Sequence, residues 1–300
     1  MKQKIIVTSG KKYIDIDAYA SCYLYAKLLR KKGINAKAIT NAKLNESIPE
    51  KIFKTDLMEK YEKEKNEKYI ILDVSNKEFF DTFVDEENII QIIDHHPGND
   101  NYWKEKLKQN AIIEEIGAVA TKIFEIYEEE NMINEITKED ANLLIAAILD
   151  NTLNLKAKIT NNRDIKAYKK LLKITKDKKF RQKYFIECQN KIEKNLEQYL
   201  IEGTKYEKIN EKLPKAFSQL LVWNKDDIIK KEEIILKELK KIDKEWMLNL
   251  ISLKDGKSYI ITDNEKYKEK LEKLFNKKFN NNIMNLKELW LRKEIIKKSI

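Results

Sequence analysis

The stretch Ile89-Ile90-Gln91-Ile92-Ile93-Asp94-His95-His96-Pro97 decides how this chain is read. Its first five residues are a short apolar, β-branched run, which reads as a buried strand. A triplet of titratable residues follows directly. His95 and His96 are the only histidines among 300 residues, and they are adjacent. Open parallel sheets bind ligands just beyond the carboxyl ends of their strands, where this triplet falls.

Working outward, the first half alternates apolar runs with helical patterns. Residues 4–8, 35–40, 69–72 and 89–93 read as strands. Residues 18–32 read as an amphipathic helix that Gly33 stops. Residues 47–60 read as a second helix and residues 79–84 as a short one. Strands separated by helical stretches imply βαβ units and a parallel sheet. Near-continuous apolar strands fit a sheet covered on both faces.

Beyond residue 118 the pattern is mostly helical, over residues 121–130, 163–174 and 180–200. Another helix opens at Thr137, with Asp140 in its first turn, and carries the apolar run 143–149. Gly203 and Pro214 bracket a boundary. A smaller unit then reads as a strand at 217–222 and a helix at 226–241. A hairpin of 247–253 with 258–262 follows, then a helix at 265–275 and a closing segment at 286–298. The expected architecture is α/β: a Rossmann-like parallel-sheet domain over residues 1–188, a helical linker over 189–212, and a smaller α+β domain over 213–300.

Composition narrows the function classes. The 60 basic residues are spread along the chain among 50 acidic ones, so the net charge of +10 carries little weight for nucleic-acid binding. It does favour an anionic substrate. No apolar run approaches the roughly 18 residues that a membrane span needs. Ile5-Ile6-Val7 behind Met1-Lys2-Gln3-Lys4 is too short for a signal sequence. Cys22 and Cys188 match no disulfide scaffold or metal spacing, so the chain reads as cytoplasmic.

Three further acidic clusters fall where the triplet does. Asp15 and Asp17 lie just past the first strand, Asp73 ends the third, and Asp150 ends the apolar run 143–149. Each alone has a bland reading as a helix cap or strand end. Together they bring five carboxylates and two imidazoles toward one edge of a sheet. Crowded carboxylates raise each other's pKa, and a divalent cation removes that conflict. Oxygen-rich ligands with some imidazole suit Mn²⁺ or Mg²⁺ better than structural zinc. Two such ions about 3.5–4 Å apart can clamp an in-line phosphoryl transfer.

These residues, in this order, resemble the four motifs of the DHH phosphoesterase family. They are Asp15-x-Asp17, Asp73, Asp94-His95-His96, and Asp150 within Ala146-Ala147-Ile148-Leu149-Asp150-Asn151-Thr152. Thr8-Ser9-Gly10 and the segment 114–118 with Thr121 agree. The C-terminal part is similar to the smaller domain of manganese-dependent (family II) inorganic pyrophosphatases and cytosolic exopolyphosphatases. That likeness rests on Phe217-Ser218-Gln219-Leu220, the hairpin near Gly256, and Arg292-Lys293.

The resemblance implies two divalent ions, Mn²⁺ first, with Mg²⁺ or Co²⁺ as alternatives. One would be held by Asp15 and Asp73, the other by Asp17, Asp73, His95 and Asp150, with Asp73 bridging. His96 would contact the bridging phosphate oxygen or the leaving group, and Asp94 would orient the histidines. Arg292, Lys293 and Lys205 would bind substrate phosphates, with the active site in a cleft between the domains. One departure stands out. The pyrophosphatases carry a histidine four residues before the first aspartate, where this chain has Lys11. A protonated lysine has no acceptor and cannot ligate a metal. Lys11 would instead pair with Asp15 or bind a substrate phosphate.

The expected function is metal-dependent hydrolysis of pyrophosphate or short polyphosphate by hydroxide held between two ions. The expected partner is a small anionic phosphate, with a homodimer left open. One alternative is a phosphodiesterase on short oligonucleotides or cyclic dinucleotides. The other is a regulatory protein that binds phosphate ligands through a degenerate site.

Overall fold

The structure is a computed structural model that describes residues 3–63, 65–206 and 211–300. Part of the expected linker, residues 207–210, lies outside the described residues. The chain divides into two compact units, Met1–Arg181 and Gln182–Ile300.

The first unit is built on a five-stranded parallel sheet. Strand β1 (Lys4–Thr8) is buried along its whole length. A two-residue strand, β2 (Tyr13–Ile14), leads into helix α1 (Ile16–Lys31), whose chain exit at Gly33 has φ +78°. β3 (Ala36–Ala38) pairs with β1, and β4 (Lys43–Leu44) pairs with β2. β5 (Glu67–Leu72) and β6 (Ile89–Asp94) follow, then helix α2 (Asp100–Leu107) and strand β7 (Ala111–Ile113). The sheet order is β3-β1-β5-β6-β7. In chain rank among these five strands that is 2-1-3-4-5, the flavodoxin-like order with its switch point between the first and third strands.

The sheet is covered on both faces. One face packs Ile6, Ile71 and Ile92 against Phe80 and the fully buried Trp103 of α2. The Trp103 indole N–H donates to the Ser75 carbonyl at 2.7 Å, so the ring's polar edge is satisfied too. Helix α1 packs on α3 (Val119–Glu129) and α4 (Lys138–Asn151), and α4 packs on α5 (Asn162–Thr175). Thr137 caps α4 in a reciprocal box with Asp140, as the sequence implies.

Several expectations are corrected. Residues 47–60 form turns rather than a helix. Pro49 opens a turn there, accepting from the N–H groups of Ile52 and Phe53. The segment's end pairs with the sheet edge instead of with itself, through Glu59 N–H to the Ala38 carbonyl. Ile48, Phe53 and Met58 are buried singly rather than along a helical stripe. Of residues 79–84, only Phe79 belongs to a helical turn, a 3₁₀ turn over Lys77–Phe79. The helix expected at 180–200 breaks at Asn195 into α6 (Phe180–Lys194) and α7 (Leu196–Glu202). β7 and α2 were not anticipated, β7 being only three residues long and α2 short and polar.

The second unit centres on a mixed six-stranded sheet. Its strands are β8 (Thr204–Tyr206), β9 (Ala216–Val222), β10 (Trp246–Ser252), β11 (Lys257–Ile261), β12 (Phe279–Asn280) and β13 (Ile283–Leu286), in the order β12-β13-β11-β10-β9-β8. β10 and β11 form the expected hairpin, closed at Ser252 and Lys257, with Gly256 at φ +66°. The helix expected at 226–241 is split into α8 (Asp226–Ile229) and α9 (Glu232–Ile242). Helices α10 (Glu265–Phe275) and α11 (Arg292–Ser299) complete the unit.

Candidate metal centre

The first unit's candidate residues gather around the carboxyl ends of β1, β5 and β6, beside the switch point. Asp73 follows β5, and its N–H extends the ladder to the Ile93 carbonyl at 2.9 Å. Its φ is +60°, a left-handed conformation that few non-glycine residues adopt. That backbone turns the carboxylate toward β6. Asp73 Oδ1 lies 3.2 Å from His95 Nε2, with both side chains buried.

His95 is held from its other side. Its Nδ1 lies 3.0 Å from the Ile116 carbonyl, which can only accept, so Nδ1 carries the proton. Nε2 is then the ring nitrogen that faces Asp73. Such a second hydrogen bond is the usual way a metal-binding histidine is oriented. Two donors each about 2.1 Å from one ion, roughly at right angles, lie about 3 Å apart. The Asp73–His95 pair matches that spacing.

Asp94, the last residue of β6, is 1% exposed. Its Oδ1 accepts from the N–H groups of His95 (2.7 Å) and His96 (3.2 Å) and from His96 Nδ1 (2.8 Å). Burial raises the carboxyl's pKa, but the His96 bond, both imidazole charges and Ser75 outweigh it, so it sits below the usual range. Asp94 therefore stays ionised and fixes the His96 ring, leaving Nε2 away from this contact. His96 itself is 54% exposed. Asp73, His95 and His96 each offer a ligand atom, and these atoms lie within 4.8 Å of one another.

Asp15 and Asp17 sit at the start of α1. Asp15 is its N-cap, accepting from the N–H groups of Asp17 (3.1 Å) and Ala18 (3.0 Å). The Ser47 hydroxyl accepts from Ile16 N–H at 2.8 Å and so steadies the same turn. Asp17 is fully buried. Burial raises its pKa well above the usual range, and the charges of Asp73 and Asp15 add to that. Burial likewise raises the Cys22 thiol, and Asp73, Asp17 and Asp15 push it further. Two separate groups thus feel a buried negative field, the condition a divalent cation relieves. The donor chemistry, the spacing and the field all fit such an ion.

Asp150 is half-buried in the last turn of α4, and its neighbour Asn151 donates from Nδ2 to Asp17 at 2.7 Å. Lys11 is exposed, and its N–H donates to the Phe79 carbonyl at 2.8 Å. On the second unit, Arg292 opens α11. Its Nη1 donates to the Gly203 (2.8 Å) and Phe217 (2.6 Å) carbonyls, while Gln219 accepts from its N–H at 2.6 Å. Lys293 and Lys205 are exposed.

Sequence reasoning missed the support behind His95. Asp164 of α5 is fully buried. It accepts from Gly117 N–H (3.1 and 3.2 Å), Thr121 Oγ1 (2.6 Å) and Asn161 N–H (2.9 Å). Gly117 follows Ile116, whose carbonyl orients His95. A Cβ on Gly117 would lie 2.5 Å from Thr152 Cγ2 and 2.6 Å from Asp164 Oδ2, both buried. Gly117→Ala is therefore expected to cost about 1–3 kcal/mol, read as a lower melting temperature of the metal-free protein. An unchanged melting curve would show that α5 gives way without cost.

Comparison with known proteins agrees with this fold. Residues 4–148 match the DHH family, N-terminal domain. The chain is 28% identical over 173 residues to the probable manganese-dependent inorganic pyrophosphatase of Exiguobacterium sp., covering 56% of this chain and 55% of that one. It is 28% identical over 176 residues to the manganese-dependent inorganic pyrophosphatase of Bacillus subtilis, covering 57% and 55%. The chain thus spans about half the length of the curated relatives it matches. Its fold is similar to the crystal structure of a Methanococcus jannaschii protein assigned to the family II inorganic pyrophosphatases, at TM-score 0.70 and 22% identity over 98% of both chains. An exopolyphosphatase-related protein from Bacteroides fragilis is similar at TM-score 0.53 and 15% identity, covering 99% and 90%. Asp15, Asp17, Asp73, Asp94, His95 and His96 all fall inside the segment, residues 4–148, that matches the DHH family, N-terminal domain.

Proposed function

We propose that this chain is a divalent-metal-dependent hydrolase of phosphoanhydride bonds, with pyrophosphate or short polyphosphate as substrate. The observation that carries the proposal is the buried Asp73–His95 pair, with Oδ1 and Nε2 turned together at 3.2 Å. The relatives, named as manganese-dependent inorganic pyrophosphatases, support Mn²⁺ and pyrophosphate.

In this reading Asp73 and His95 hold an ion, and Asp15 and Asp150 are the further ligands that the resemblance implies. The ion, when bound, supplies Lewis acidity toward a phosphoryl oxygen and acidifies water. The chain's own residues do the rest. Asp94 keeps His96 oriented through Nδ1, so Nε2 can hold a proton for the leaving phosphate. Arg292, Lys293 and Lys205 are the proposed phosphate ligands, as an Arg fork and Lys point charges suit phosphate oxygens. Lys11 is proposed as a further cation for the substrate.

The test is phosphate release by metal-stripped protein given Mn²⁺, Mg²⁺ or Co²⁺, with pyrophosphate, tripolyphosphate, longer polyphosphate and a dinucleotide compared side by side. Turnover of the anhydrides is expected, fastest with Mn²⁺. Turnover of the dinucleotide alone would move the chain to phosphodiester chemistry. Silence on every substrate would point to a phosphate-binding protein that does not hydrolyse.

A further inference from the structure

We infer that the chain holds a single divalent ion rather than a pair, because Asp17 is a structural clasp and Lys11 cannot serve as a ligand. The inference rests on the metal-centre reading above and narrows it. Four donors surround the Asp17 carboxylate. Oδ2 accepts from Val119 N–H (2.8 Å) and Asn151 Nδ2 (2.7 Å), and Oδ1 accepts from Ala120 N–H (2.8 Å) and Ser21 Oγ (3.3 Å). An ionised carboxylate offers about four lone-pair sites. Each of these sites has a donor.

The place of Asp17 in the fold favours the same role. Val119 and Ala120 are the first two residues of α3, so the carboxylate sits at that helix's N-terminus. A helix presents roughly half a positive charge there. In one residue, α1 is fastened to α3 and to the end of α4. Drawing Asp17 onto an ion would strip a hydrogen bond from a buried N–H or from Asn151, and an orphaned buried donor is costly.

The other expected position is depleted for a different reason. There the resemblance leaves Asp15 and Asp73, with Lys11 where a histidine would complete the set. Asp15 Oδ1 is engaged by two N–H groups of the α1 cap. Lys11 brings three donors, no acceptor and a positive charge on the loop that leads to Asp15. What remains convergent is Asp73 and His95, with His96 beside them, a donor set for one ion.

Equilibrium dialysis of the wild-type, metal-stripped chain against Mn²⁺, with bound metal counted by mass spectrometry, tests this directly. About one tightly bound ion per chain is expected. Its electron paramagnetic resonance spectrum should be that of an isolated Mn²⁺ and not of an exchange-coupled pair. Two tight ions, or a coupled spectrum, would overturn the inference while leaving the metal centre intact. No bound Mn²⁺ would overturn the metal-centre reading itself, and the inference with it. Asp17→Asn should melt earlier yet keep its Mn²⁺ affinity within about threefold. Loss of a true ligand would weaken binding by more than about 100-fold. The count on the wild-type chain decides the question even where that variant does not fold.

Discussion

In protein carrying Asp73→Asn, Mn²⁺-dependent phosphate release from pyrophosphate is expected to fall at least about a thousandfold. Asp73 is the carboxylate that faces His95 Nε2 at 3.2 Å, and among the described residues it belongs to the one group whose donor atoms converge. Asparagine is the right replacement for a backbone reason. At φ +60° an alanine would add conformational strain to the lost charge, whereas asparagine tolerates the left-handed region. The two effects are thereby separated. A normal melting curve with lost turnover and weakened Mn²⁺ binding is the expected pair of results. Turnover within about tenfold of wild type would mean that the ion sits elsewhere.

The second large effect is on stability. Asp164→Ala is expected to cost about 3–5 kcal/mol, because it leaves the donors of Gly117, Thr121 and Asn161 buried around an empty acceptor. For a unit of this size each kcal/mol lowers the melting temperature by about 2–4 °C, so a fall of roughly 6–20 °C should be seen. The same change should reach the site. Gly117 is joined to Ile116, whose carbonyl fixes the proton on His95 Nδ1. Loosening that support should weaken Mn²⁺ binding by about 10–100-fold, as loss of a ligand's orienting partner does. A stable variant with unchanged Mn²⁺ affinity would show that Asp164 does not support the centre.

The parts of the centre that were legible in the sequence are those where side-chain chemistry and strand position coincide. The run ending in Asp94-His95-His96 announces a strand and a ligand set at once, and Asp73 closes another apolar run. The parallel sheet follows from the same alternation. The supports were not legible, because their function is set by distant partners. Asp164 stands three residues after Asn161 and reads as half of a capping box, which it also is. Nothing local shows that it holds Gly117, 47 residues earlier in the chain. Asn151 is adjacent to an expected ligand, yet its amide is used on Asp17, 134 residues away. The Ile116 carbonyl carries no residue identity at all. The false helix at 47–60 has the same origin. Its helix-like composition could not reveal that Glu59 would bond to Ala38 at the sheet edge.

Asp73 also shows what the centre asks of the fold. A left-handed, non-glycine residue with a buried carboxylate is unfavourable on two counts, since its backbone is strained and its charge raises the pKa of Asp17. Selection for folding alone would place glycine there, with neither penalty. The residue that occupies the position is therefore a record of selection for what the carboxylate does. A stabilising substitution at this position, found by screening for heat resistance, would remove the chemistry as it succeeds.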